Sequence, residues 1–165
     1  MFVAEMNQML DRLDAEDNYY VITALYQFVS LKQLDVLRQQ LQQLCDKNEA
    51  LGTILLASEG INGTIAAPRS GMARFLEWLE LDGRFDNLSL KFSCSADQPF
   101  LRMKVRPKRE IVTMGRPEIN PAKRTGTHID PADWNNLISD PDVLLIDTRN
   151  TYAVSYTHLT LPTKA

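Results

Sequence analysis

The residues best suited to chemistry lie near the carboxyl end, where Asp147-Thr148-Arg149 follows directly on the apolar run Val143-Leu144-Leu145-Ile146. A continuous apolar run preceded by the turn-forming pair Asp140-Pro141 reads as a strand buried on both faces of a parallel α/β sheet. Such sheets carry their functional loops at the carboxyl ends of their strands. Only 16 residues follow Arg149, whereas one βαβ unit takes about 30 or more. The expectation is a second domain that is begun and not finished, with any active site built on it lying past Ala165. Asp147 and Arg149 equally suit a structural part, fixing the loop after the strand by ion pairing or backbone hydrogen bonds.

Other reactive residues give weaker signals. Cys45 and Cys94 lack C-x-x-C spacing, and His128 and His158 stand far from them in sequence, so no zinc site is indicated. Both thiols read as ordinary reduced packing residues. Gly60 and Gly63 match neither G-x-G-x-x-G nor G-x-x-x-x-G-K-[ST], and they link two strands rather than a strand and a helix. A tight hairpin in which glycine supplies positive φ explains them better than a phosphate cradle. Glu59 beside that turn is a carboxylate with no partner visible in sequence. No catalytic residue and no metal ligand is assigned.

Charge is unevenly spread around the net value of -3. Residues 1–100 hold 8 Lys or Arg against 14 Asp or Glu, residues 101–125 hold 8 against 2, and residues 126–165 hold 2 against 5. A polyanion would therefore meet one basic strip, made of Arg102, Lys104, Arg106, Lys108 and Arg109 and continued by Arg116, Lys123 and Arg124. That is the electrostatic footprint of a nucleic-acid contact. A solvated linker or a sheet edge protected by cations reads the same way in sequence.

The elements that must position these residues follow from periodicity. The composition, 44% hydrophobic and 24% charged over 165 residues, is that of a globular chain with room for about one full domain and part of another. No stretch approaches the roughly 18 apolar residues of a membrane span and the start lacks the pattern of a signal peptide, so the expected location is the cytoplasm, with no membrane partner. Residues 1–18 form a lead-in, helical through Met6, Met9, Leu10 and Leu13. Tyr20–Val29 is β-branched and aromatic and reads as a strand. Ser30 with Gln33 offers a capping box for an amphipathic helix on Leu34, Leu37, Leu41 and Leu44 that reaches about Asn48. Strands follow at Thr53–Ala57 and Ile61–Ala67. Ser70 caps a second helix bearing Met72, Phe75, Leu76 and Leu79. Leu88, Leu90 and Phe92 alternate with polar residues in a fourth strand.

Strand, helix, strand, strand, helix, strand is the ferredoxin-like split βαβ arrangement, so the fold class is α+β: a ferredoxin-like domain over 19–95, then the start of an α/β domain. Four prolines, at 99, 107, 117 and 121, punctuate residues 96–125, which read as a basic structured linker with strand-like runs at Leu101–Val105 and Glu110–Met114. Asp130-Pro131 then starts a short helix on Trp134, Leu137 and Ile138, which delivers the chain into the strand at 143. The second domain covers 126–154.

Several segments together resemble the bacterial rhodanese-domain family of tRNA uridine hydroxylases. They are Ser58-Glu59-Gly60-Ile61-Asn62-Gly63-Thr64-Ile65, Lys104-Val105-Arg106, Glu110-Ile111-Val112-Thr113-Met114-Gly115, Gly126-Thr127-His128-Ile129-Asp130-Pro131-Ala132-Asp133-Trp134, and Leu145-Ile146-Asp147-Thr148-Arg149-Asn150-Thr151-Tyr152. The match spans about residues 19–154. It implies an enzyme that uses molecular oxygen and a reductant to convert the wobble uridine of tRNA to 5-hydroxyuridine. It also implies an active-site cysteine in a Cys-x-x-Gly-x-Arg-type loop well downstream of Asp147-Thr148-Arg149. No residue here matches that loop, and Cys45 and Cys94 do not inherit its role. From Ser155 to Ala165 the chain departs from the family and is similar to translated adapter sequence at the broken end of a gene. A genuine strand, with Leu159 and Leu161 alternating with threonine, is the competing reading.

The resemblance makes tRNA the expected partner, with the basic strip on anticodon-stem phosphates and an unstacked loop base in a pocket elsewhere. Oxygen and a reductant belong to the parent reaction. A rhodanese-type sulfurtransferase fits Asp147-Thr148-Arg149 equally well, and a non-catalytic RNA-binding module fits the present residues best, because they include no nucleophile with a base and an orienting group.

Overall fold

The structure, a computed structural model, describes residues 1–12, 19–111, 115 and 126–146. Asp147-Thr148-Arg149, the tail from Ser155, the cations Arg116, Lys123 and Arg124, and Val112–Met114 of the second strand-like run lie outside the described residues. The chain divides into two compact units, Met1–Thr125 and Gly126–Ala165.

In the first unit the elements run α1 (Phe2–Arg12), β1 (Tyr20–Phe28), α2 (Leu34–Lys47), β2 (Leu51–Ala57), β3 (Gly60–Pro68), α3 (Arg69–Leu81), a 3₁₀ turn at Gly83–Phe85, β4 (Ser89–Ser95) and β5 (Met103–Pro107). The strands form one sheet in the order β4-β1-β3-β2-β5. The first four pair antiparallel, as a split βαβ fold requires, and β5 joins β2 in parallel. The chain is thus ferredoxin-like, with an extra edge strand. That strand lies inside the stretch read from sequence as linker.

One face of the sheet is covered by helices. Every second residue of β1, namely Val21, Thr23, Leu25 and Gln27, is buried, and this parity meets Leu37, Leu41 and Cys45 of α2 and Met72, Phe75, Leu76 and Leu79 of α3 in one core. Fully burying a large apolar side chain of this kind contributes about 1.5–3 kcal/mol. The Thr23 hydroxyl, buried in the same layer, donates to Met72 Sδ at 3.2 Å. The α2–β2 connection is closed by Asn48. Its Nδ2 donates to Leu44 O at 2.8 Å, and its Oδ1 accepts from Arg74 Nε at 2.7 Å, tying the end of α2 to α3.

Both helix starts differ from the caps expected from sequence. Helix α2 begins at Leu34 after Gln33, which is left-handed (φ 52°, ψ 49°) and makes no side-chain cap. Ser30 is unavailable because Val29 N and Leu31 N donate to Glu59 O (2.9 Å) and Ser58 O (3.0 Å), which hold the chain extended along the β2–β3 turn. Helix α3 begins at Arg69 behind Pro68, so Ser70 sits inside its first turn.

In the second unit α4 spans Trp134–Ile138, with Asp133 rather than Asp130 at the N-cap position. Asp130 instead closes the turn before the helix, its carbonyl accepting from Asp133 N at 2.9 Å. The expected strand Val143–Ile146 is not one: these residues have no regular structure, and Leu144 and Ile146 are 79% and 70% exposed. An apolar run becomes a buried parallel strand only between partners, and the described residues of this unit include no other strand.

Candidate nucleic-acid interface

Strand β5 carries the centre of the basic strip. Its parity points Met103 and Val105 toward the helix-covered core, so Lys104 and Arg106 stand on the opposite, open face. The strand is pinned at both ends and along its free edge. Gly52 N donates to Arg102 O (3.1 Å), Lys108 N donates to Leu56 O (2.7 Å), and Val105 N donates to Gln42 Oε1 of α2 (3.3 Å). The last bond occupies a backbone donor that an edge strand would otherwise present to another chain.

Arg102, Arg106, Lys108 and Arg109 are exposed and Lys104 is half-buried. Partial desolvation, then the charges of Arg102 and Arg106, push the Lys104 ammonium below its ordinary value. Arg102, Lys104 and Arg106 are spaced two apart along the chain, so alternation sets these three cations in one electrostatic neighbourhood. Among the described residues, no carboxylate pairs with any of the three. Uncompensated clustered cations are what an approaching phosphate backbone neutralises.

The strand registers place further groups beside them. One row across the open face reads Lys91, Ala24, Thr64, Thr53, Lys104, and the next reads Ser89, Tyr26, Asn62, Leu55, Arg106. At the β2–β3–β5 end, Thr53, Leu55, Asn62, Gly63, Thr64 and Phe100 line a shallow cavity of about 250 Å³. Toward β1, Tyr26 is 39% exposed, and its ring meets that of Phe28 edge to face with centroids 5.3 Å apart. Burial, then the Glu59 charge, raises the Tyr26 phenol above its ordinary value.

Glu59 has a partner after all. Its Oε1 accepts from Ile111 N at 2.7 Å, so the two-residue β2–β3 turn anchors the chain just after Lys108 and Arg109. Gly60 makes room for this packing. It has φ +156°, and a Cβ there would lie 2.1 Å from Gln27 O and 3.0 Å from Ile111 Cδ1. Gly63 has no such φ and serves close strand approach, its Cβ position lying 2.6 Å from Thr53 O. Sequence spacing could not reveal the Glu59–Ile111 link, which spans 52 positions.

The two cysteines stay apart from this surface. Cys45 is fully buried in the core, and burial, with a smaller effect from Asp46, pushes its thiol up to about 12. Cys94 is half-buried and also free. Among the described residues, no group of three or more His, Cys, Asp or Glu is arranged to hold a metal ion, and no helix is long and apolar enough to cross a membrane.

Of the residues singled out from sequence, Arg102, Lys104 and Arg106 are brought together. Lys108 and Arg109 follow them off the end of β5. Sequence reading missed Phe100, Tyr26, Asn62, Thr53 and Thr64. For Tyr26, Asn62, Thr53 and Thr64 the signal was the strand alternation itself, which places them on the face opposite the core; Phe100 lies between β4 and β5 and had no such signal.

Residues 20–111 match the UPF0176 acylphosphatase like domain. The chain belongs to the UPF0176 family. Over 133 residues it is 51% identical to the tRNA uridine(34) hydroxylase of Agrobacterium fabrum, covering 81% of this chain and 42% of that protein. The proteins of the same name from Rhizobium leguminosarum bv. trifolii and Sinorhizobium medicae are 50% and 51% identical over the same length. The family read from the sequence motifs is the one these relatives carry by name, and the chain spans 42–43% of their length. An acylphosphatase from Coxiella burnetii is similar over 54% of this chain and 94% of its own, at 12% identity and a TM-score of 0.39, too distant a likeness to bear on activity.

Proposed function

We propose that this chain is the tRNA-positioning part of a cytoplasmic tRNA uridine(34) hydroxylase. In the parent reaction the wobble uridine becomes 5-hydroxyuridine. One oxygen atom of O₂ replaces the C5 hydrogen as hydroxyl, and the other leaves as water with two electrons and two protons from a reductant. The observation that carries the proposal is the identity of about half of all positions, across 81% of the chain, with proteins named for that activity. The acylphosphatase-like unit contributes Arg102, Lys104, Arg106, Lys108 and Arg109 as phosphate contacts, which set position and salt-sensitive affinity while base chemistry occurs elsewhere.

Residues 1–165 on their own bind and do not hydroxylate. This rests on the sequence, in which no residue matches the Cys-x-x-Gly-x-Arg-type loop that the family resemblance implies; of the two cysteines present, Cys94 lies on β4 of the acylphosphatase-like unit and the Cys45 thiol is buried in its core, where burial raises it to about 12. A thiol in that state is neither nucleophile nor redox centre.

Filter binding of the chain to tRNA at two salt concentrations tests the positioning role. Retention at low salt that falls steeply at high salt is expected, and no retention at low salt would end the proposal. Incubation of the chain with tRNA, oxygen and reductant is expected to yield no 5-hydroxyuridine, whereas the full-length parent forms it. If the parent instead moves sulfur from thiosulfate and leaves uridine untouched, the sulfurtransferase reading replaces this one.

A further inference from the structure

We infer that the open face of the sheet seats an unpaired RNA nucleotide, its base against Phe100 in the cavity lined by Asn62, Thr53 and Thr64 and its phosphates at Lys104 and Arg106. The inference rests on the tRNA-positioning reading and deepens it, from attraction of a backbone to capture of a base.

Three observations meet at this place. The first is charge. Lys104 is the register partner of Thr53 and Arg106 that of Leu55, so two cations border the cavity on its β5 side. They belong to the one strongly basic stretch of a chain whose first 100 residues carry 14 acidic against 8 basic side chains. A polyanion is therefore directed to this edge of the sheet.

The second is shape. The cavity is about 250 Å³ and shallow, below the roughly 300–1,000 Å³ of a small-molecule pocket. A flat group lying on a flat sheet suits it better than an enclosed ligand. A base in a duplex is stacked on both sides and cannot offer its face, whereas loop bases can be splayed out and laid on aromatic side chains.

The third is chemistry. Phe100 supplies a half-exposed ring at the rim. Thr53 and Thr64 are directly paired across β2 and β3, and Asn62 pairs with Leu55. Hydroxyl and amide groups each donate and accept, so this floor can meet the mixed edge of a base. Beyond Asn62 in the same row, Tyr26 stands roughly 14 Å from Arg106 at ordinary strand spacing. The seat can therefore extend toward a second base.

The test uses the 165-residue chain and three labelled RNAs: a ten-nucleotide single strand, the same sequence as a duplex, and tRNA. Fluorescence anisotropy is expected to show the single strand binding at least about fivefold more tightly than the duplex, the smaller end of what one stacked base supplies. Phe100→Ala lowers single-strand affinity about 5- to 150-fold, the range for one base–aromatic stack, and leaves the salt slope unchanged. Lys104→Ala instead reduces the slope by about 0.7, one phosphate contact on a single strand. Far-UV circular dichroism of both variants matches the parent, because neither side chain belongs to the main core.

Equal binding of duplex and single strand, or an unaffected Phe100→Ala variant, overturns the nucleotide seat. If tRNA binds while the single strand does not, the seat is wrong and the tRNA reading stands. If the single strand binds while tRNA does not, the tRNA reading fails and the seat stands. A concentration-dependent dimer that Phe100→Ala weakens and RNA leaves intact would assign this face to a second copy and overturn the seat.

Discussion

The two faces of the sheet are built from alternate residues of the same strands, and they divide the labour. The covered face holds Val21, Leu25, Ile54, Ile61 and Ile65, each at most 1% exposed, beneath three helices. The open face holds Tyr26, Asn62, Thr53, Thr64, Lys104 and Arg106, and among the described residues of the first unit no helix lies on it. The comparison teaches that stability and recognition are separable here by strand parity. Moving one residue along a strand moves from the core to the proposed RNA surface.

The largest effect should come from the covered face. Phe75→Ala, at a fully buried position of α3, removes a ring and leaves a cavity, at a cost of about 3–5 kcal/mol. Urea denaturation measures the loss, and tRNA affinity of the molecules that remain folded should be unchanged. Weakened binding at matched folded fraction would break the division of the two faces.

The open face should give the reverse pattern. Lys104→Glu combined with Arg106→Glu is expected to change unfolding free energy by no more than about 0.5 kcal/mol, as for surface substitutions generally. It should lower tRNA affinity and reduce the salt slope by about two phosphate contacts. A slope equal to the parent's would show that these cations do not touch RNA.

A smaller effect sharpens the covered side. Asp82 accepts from Arg84 N at 3.2 Å, Arg84 Nε at 2.8 Å and Arg84 Nη2 at 2.5 Å, which fixes the 3₁₀ turn that seats Phe85. The hydrogen bond from Arg84 holds the Asp82 carboxyl below its ordinary value of 3.8. The folded state thus favours the ionised form: the contribution is fully present above the ordinary value and fades as pH falls through the lower folded one. Asp82→Asn keeps an oxygen to cap Arg84 N and loses only the charge facing the guanidinium, so it should cost up to about 1 kcal/mol at neutral pH, the scale of a solvent-accessible ion pair, and the gap to the parent should close in acid. A gap independent of pH would remove the carboxylate from the explanation.

Much of the covered face was legible in the sequence, because periodicity reports burial. Leu37, Leu41 and Leu44, and Met72, Phe75, Leu76 and Leu79, mark the helix faces, and the βαββαβ order follows. The basic strip was legible as composition. Its placement was not, since the parallel pairing of β5 with β2 joins residues about fifty positions apart, and no local pattern encodes a partner strand. Phe100 and the Glu59–Ile111 bond were hidden for the same reason. Ser30 looked like a cap because local chemistry ignores the two backbone bonds that hold its neighbours to the β2–β3 turn. Val143–Ile146 looked like a strand because an apolar run states a need for burial without supplying the partner that meets it.

The most direct measurement is ultraviolet crosslinking of tRNA to the chain, with the linked peptides mapped by mass spectrometry. The account requires links on the peptides bearing Phe100 and Tyr26, lost at high salt and reduced by Lys104→Glu with Arg106→Glu. Links concentrated instead on the outer surfaces of α2 and α3, with the open face untouched, would contradict it.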